Sequence, residues 1–223
     1  MEERKFVNWK KEELNIKKIV KENFGKGKIS NVRIEYTPVG EKIVISTHKP
    51  GLIIGKRGEK ISELTEFLKK KFKMENLHID IDEITTPEFD AQIVADNIAL
   101  DLERFGALRF KAIAYRMLTK IKDAGALGAE LRLSGKLPSD RARTWRFAFG
   151  YLKKTGDTSK IVDRAQSVAK TKQGVIGVKV AILPPGTKIH DHINVDEDLV
   201  NEIKKNVELK EESNKTKSGK KEK

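Results

Sequence analysis

Between residues 49 and 61 the chain reads KPGLIIGKRGEKI. Just before it, residues 42–48 alternate, with Ile43 and Ile45 on one face. After it, Ile61, Leu64, Leu68 and Phe72 recur at three- and four-residue spacing. The apolar period therefore switches from 2 to about 3.6 within a few residues, which dictates a strand, a tight turn and then a helix over about 59–72. Pro50 and Gly51 are expected to break the strand. Gly55 and Gly58 bracket Lys56 and Arg57. Without a Cβ, glycine backbone can lie against a sugar-phosphate chain and take positive φ. Because the turn opens a helix, free amides and the positive end of the dipole face whatever sits over it. Ile53, Ile54 and Ile61 are expected to make an apolar floor beside the turn. Phosphate on the turn and bases over the floor describe a grip on single-stranded nucleic acid. Its expected contact residues are Ile54, Gly55, Lys56, Arg57, Gly58 and Lys60.

Other phosphate loops do not fit. GLIIGKR has one residue too few before Gly-Lys for a Walker loop and lacks the Ser or Thr that would hold magnesium. The GxGxxG dinucleotide fingerprint is missing. Two further GxxG spacings, GALG at 125–128 and GVIG at 174–177, enclose no cation and read as turns. The net charge of +13 across 223 residues is spread along the chain, which suits a long polyanion touched in several places. Cysteine is absent, excluding disulfides and thiolate metal sites and fitting a reducing compartment. No run of about 18 apolar residues would span a membrane. The start, MEERKFVNWKKEEL, lacks the apolar stretch of a signal peptide.

The remaining periodicities give an α+β chain in two domains and a tail. Residues 10–24 form an expected helix with Ile16, Ile19, Val20 and Phe24 on one face, ended by Gly25 and Gly27. Strands are expected at 28–36 (Val32, Ile34 and Tyr36 on one side), at 42–48 and over LHIDIDE, with TPVGEK as a turn. Two helices follow the TTPEF connector. In the first, about 88–104, Val94, Ile98, Leu102 and Phe105 form a stripe; in the second, about 107–122, Phe110, Ile113, Met117 and Ile121 are expected to be buried. Strands at 129–134, 143–149 and 176–183 complete a mostly antiparallel sheet. Residues 160–170 carry a helical spacing (Ile161, Ala165, Val168, Ala169) beside flanking strands, and both readings stay open. The domain limits are 1–86, 87–200 and 201–223, the last a Lys-rich tail too poor in apolar residues to order itself.

GLIIGKRGEKI resembles the K-homology (KH) signature, and the order of elements resembles the type II KH fold. LERFGALRFKAIAYRMLTKIKDAGALGAELRLSGKL, SDRAR and KTKQGVIGVKVAILPPG resemble the C-terminal domain of the ribosomal KH protein family numbered third in the small subunit, in its archaeal or eukaryotic-like form. The resemblance runs over about residues 10–190. It implies a structural, non-enzymatic constituent of the cytoplasmic ribosome. It places the chain in the head of the small subunit, near where messenger RNA enters, touching ribosomal RNA and neighbouring head proteins. It also implies that residues 160–170 are a strand.

Further candidate RNA contacts lie in the second domain. On the helix 107–122, Arg109, Arg116 and Lys120 share one edge; Lys111 and Lys122 share the other, beside Tyr115. The resemblance places a pair of basic residues facing messenger RNA at 111 and 112, where this chain has Lys111 and Ala112; Arg109 and Arg116 are available to compensate. Lys136, Arg141 and Arg143 surround a Pro-Ser-Asp turn, with Arg141 and Arg143 expected on the strand face of Trp145. They fit either RNA contact or pairing with Asp140 or Asp157. Trp145, Phe147 and Phe149 alternate as core aromatics do. His190, Asp191 and His192 lack further ligands at useful spacing, so no metal is expected; nor is any cofactor or nucleophile–base pair. A free-standing KH regulator would need only the first domain, and a lyase would need a desolvated lysine that the sequence does not offer.

Overall fold

In the computed structural model, residues 2–38, 40–72 and 76–187 are described, together with Val200, Ile203 and Lys204. The expected tail, apart from Ile203 and Lys204, and the His190–His192 segment lie outside the described residues.

The first half runs α1 (Glu2–Phe24), β1 (Ile29–Thr37), β2 (Gly40–Thr47), α2 (Pro50–Ile54), α3 (Glu59–Phe72) and β3 (Leu77–Glu83). β2 is central, antiparallel to β1 and parallel to β3. One face of this sheet carries Val32, Ile43, Ile45 and Leu77, covered by Ile16, Val20 and Phe24 of α1 and by Leu64 and Leu68 of α3, all buried. Tyr36 ends the β1 alternation but is 59% exposed and outside the core. α1 starts eight residues earlier than its apolar stripe predicts. Phe6, Val7 and Trp9 are more than half exposed, so packing does not order this extension. Local pairs of Glu13 with Lys10 and Lys17 support the helix farther along. Pro50 does not simply end a strand. It occupies the first turn of α2, where its missing N–H costs nothing.

The second half runs α4 (Ala91–Phe105), α5 (Phe110–Asp123), β4 (Gly128–Gly135), β5 (Arg143–Gly150), β6 (Asp163–Thr171) and β7 (Gly174–Leu183). Asp90 caps α4 by accepting from the amides of Gln92 and Ile93. The sheet is antiparallel throughout, in the order β5-β4-β7-β6. Both helices lie on one face, over Ala129, Leu131, Leu133, Phe147, Val178, Val180 and Ile182. Phe110 is 2% exposed and sits 5.3 Å from the Trp145 ring and 6.3 Å from Phe147, so these aromatics pack the core. Residues 163–171 are a strand. Ser167 and Ala169 face inward while Gln166 and Val168 face out, a period of two that overrides the helical spacing of Ile161, Ala165 and Val168.

The turn between α1 and β1 joins the halves. Lys26 donates to the carbonyl of Val168 on β6 at 2.7 Å and to Glu103 of α4 at 3.1 Å, while Glu103 also accepts from the Lys170 amide at 2.9 Å. The Gly27 amide donates to buried Asp96 of α4 at 3.0 Å, and Ser30 meets Asp90. The Lys170 amide, followed by the Lys26 ammonium, holds the Glu103 carboxyl below the usual carboxylate range against the opposing effect of burial.

Candidate RNA interface

α2 ends where Gly55 turns to φ 75° and its amide closes on the Gly51 carbonyl at 3.1 Å. Lys56–Gly58 make a single 3₁₀ turn, and α3 begins at Glu59. Gly58 has φ 81°, and a Cβ there would meet nothing within 4 Å, so one flank of this backbone is open to a ligand. At Gly55 the stem of Lys60 closes the other flank, 2.9 Å from where a Cβ would sit. Arg57 lies between them at φ 54°, ψ 22°; among the described residues no other non-glycine takes positive φ. Left-handed backbone costs an L-residue about 1–2 kcal/mol, so the fold holds this guanidinium at an unfavourable backbone angle. Lys56, Arg57 and Lys60 are all exposed.

The expected apolar floor is only partly present. Ile53 is fully buried and belongs to the core of the first half, not to the floor. Ile54 is exposed, Ile61 is half-buried, and Leu52, which sequence reasoning did not single out, is also exposed beside them. The register of the short helix decides this. Leu52 and Ile54 flank Ile53, and residues adjacent in a helix point about 100° apart. The pattern was unreadable without knowing that residues 50–54 are helical.

The structure leaves Lys111, Lys120 and Lys122 exposed along α5 and Arg109 exposed at its N-cap, just before the helix begins. Lys111 places its ammonium 4.8 Å from the centre of the Trp145 ring, a cation–π contact that holds the charge at one site. Exposed Tyr115 stands edge-on to Phe147 at 5.2 Å. Arg116 is engaged differently, its guanidinium bound to Asp101 of α4 at 2.5 Å. Lys136 and Arg141 lie in the connection from β4 to β5, exposed around the buried anchor Leu137. β5 begins only at Arg143, so Arg141 is not on the strand face of Trp145. Asp157, one of the expected arginine partners, is taken by Lys160 at 2.6 Å. Among the described residues no cluster of histidine, cysteine and carboxylate side chains could hold a metal.

The α-β-β-α-α-β order with a bare cationic turn before α3 defines a type II KH fold joined to a second, helix-backed antiparallel sheet. The KH domain family matches residues 15–89, and the ribosomal protein S3 C-terminal domain family matches residues 98–182. Small ribosomal subunit protein uS3 of Methanocaldococcus jannaschii is 41% identical over 93% of this chain and 99% of its own length. The uS3 proteins of Archaeoglobus fulgidus (40% identical, over 86% of this chain and 83% of their own length) and Halobacterium salinarum (36%, over 88% and 65%) are also similar. The chain belongs to the uS3 family of small-ribosomal-subunit proteins, a structural and non-enzymatic family.

Proposed function

We propose that this chain works in the cytoplasm as a structural part of the head of the small ribosomal subunit, binding ribosomal RNA and lining the path by which messenger RNA enters. The observation that carries the RNA reading is the turn at 55–58. It combines open backbone at Gly58, two exposed cations and the start of a helix. Its work is positioning: cations neutralise phosphates, and bare backbone fixes where the strand lies. Ile54, Gly55, Lys56, Arg57, Gly58 and Lys60 serve that grip. Arg109 at the start of α5, Lys111 and Lys120 on it, with Lys136 and Arg141 before β5 and Arg143 at its first position, are assigned to ribosomal and messenger RNA. Arg116 is assigned there through its exposed half, since Asp101 already holds the other. The place in the head and neighbouring head proteins as partners rest on the family resemblance.

Sedimentation of a tagged full-length chain tests the reading. Comigration with small subunits is expected, and a chain found mainly at the top of the gradient would overturn it. Cross-linking of assembled subunits carrying a defined messenger tests the finer assignment. Cross-links from α5 to messenger downstream of the decoding site are expected, whereas links to ribosomal RNA alone would remove the messenger role.

A further inference from the structure

The face of the second sheet turned away from α4 and α5 carries a charge arrangement that folding does not explain. The strand registers place Arg146 of β5 opposite Arg132 of β4, and Arg132 opposite Lys179 of β7. Gln166 of β6 completes the row. With strands about 4.8 Å apart, three exposed cations form a ridge about 10 Å wide. Like charges directly opposite one another destabilise a sheet. The row on one side of the ridge holds Thr144, Ser134, Gly177 and Val168; that on the other holds Ala148, Glu130, Ala181 and Arg164.

Glu130 accounts for part of this charge. It is 4% exposed and meets Arg132, Arg146 Nε at 3.0 Å and, through its other oxygen, Lys154 at 2.8 Å. Lys154 belongs to the segment crossing from β5 to β6, which Arg164 also holds by donating to the Lys154 carbonyl at 3.1 Å. Burial opposes its ionisation, but hydrogen bonds from Lys154 and Arg132 outweigh burial and hold its carboxyl below the usual range. One carboxylate thus pairs with three cations, Arg132, Arg146 and Lys154, while Arg164 and Lys179 stand on the same face without a carboxylate partner in those pairs. Arg132 and Arg146 both engage Glu130 through Nε, so their terminal amino groups remain for an outside anion. Arg132, Lys154, Arg164 and Lys179 line an open concavity of about 480 Å³ beside the ridge.

We propose that this face, which no helix covers among the described residues, is a second RNA-binding surface, built for the phosphate backbone of double-helical RNA, with Arg132, Arg146 and Lys179 as its principal contacts. The inference deepens the RNA-binding reading above and rests on it. Charge complementarity selects a polyanion. The absence of any aromatic in the three described rows selects a duplex over a single strand, since single-strand sites use aromatic rings on which bases stack.

The test is salt-dependent binding of the full chain to a labelled RNA hairpin stem and, in parallel, to a labelled single strand. R146Q/K179Q removes two phosphate contacts. At about 0.9 per phosphate, the slope of log K against log salt should fall by roughly 1.8, and hairpin affinity near 0.1 M salt by roughly 60-fold. Single-strand affinity should change far less. K179Q alone keeps Glu130's three partners and should lose about half of the slope change, which covers the case of a double variant that misfolds. Wild-type chain that binds the hairpin with a slope K179Q leaves unaltered would overturn the sheet-face assignment alone. Failure of the wild type to bind either RNA would overturn both this inference and the reading beneath it. Unaltered hairpin binding with lost binding of a polyglutamate peptide would assign the face to an acidic protein and refute the proposal.

Discussion

Arg57→Gly should make the protein more stable and a poorer ligand for RNA. Arg57 sits at φ 54°, where an L-residue bears about 1–2 kcal/mol of backbone strain that glycine does not. The looser unfolded chain of the glycine variant takes back about 0.5–1 kcal/mol. Arg57 is exposed, and no described hydrogen bond or ion pair holds its side chain, so no folded-state contact is lost. The net gain is about 0.5–1 kcal/mol, or about 1–4 °C in the melting temperature of a chain this size. On the binding side, one phosphate contact disappears. The salt slope on a short single strand should fall by about 0.7, and affinity near 0.1 M salt by about fivefold. Thermal unfolding followed by circular dichroism and fluorescence anisotropy across a salt series read the two effects separately. A melting temperature below wild type would show that the guanidinium stabilises the turn, and unchanged affinity would show that it does not face RNA. Either result refutes the reasoning.

Lys56→Asp with Arg57→Asp should weaken single-strand binding by well over tenfold and leave the cooperative melt intact, because the turn is outside both cores; anisotropy with a parallel melt checks it. Asp96→Ala leaves the Gly27 amide without its buried acceptor and also removes the partner of Gln92, so urea unfolding should show a loss of about 2–3 kcal/mol. Glu103→Gln should cost roughly 0.5–1 kcal/mol at pH 7 through the lost Lys26 pair. Because the folded state lowers the Glu103 pKa, its contribution is present above the ordinary carboxylate range and is lost as pH falls through the lowered value, so the wild-type advantage should vanish in acid. A difference that showed no decline down to the lowest pH at which the chain stays folded would exclude the charge as its source.

The sequence carried the turn at 55–58 and the helix after it clearly, because two glycines, two cations and a change of period coincide there. It carried α5 for the same reason: Phe110, Ile113, Met117 and Ile121 mark a face that the structure buries. The first eight residues of α1 left no such mark, since their apolar side chains meet no core. Ile53 looked like part of a ligand floor because nothing local signals that residues 50–54 close one helical turn. Residues 160–170 were ambiguous because their apolar spacing is helical while the elements flanking them are strands. Only the tight turn Thr171–Gly174, which folds them back on β7, makes the strand cheaper in unpaired backbone groups. The ridge of Arg146, Arg132 and Lys179 was invisible for a different reason. These residues are up to 47 positions apart by number, and only the pairing order β5-β4-β7 brings them into line.

The short turn of Lys26 and Gly27, clasped by α4 and β6, has a consequence for how the molecule works as a whole. It makes the chain a caliper instead of two beads on a string. On the proposed reading, a nucleic acid seized at one jaw would find the other at a set span, so the second contact would form at high effective concentration without a fresh search. Such a tool rewards targets whose own shape matches its gap and discriminates against floppy ones that must be straightened first.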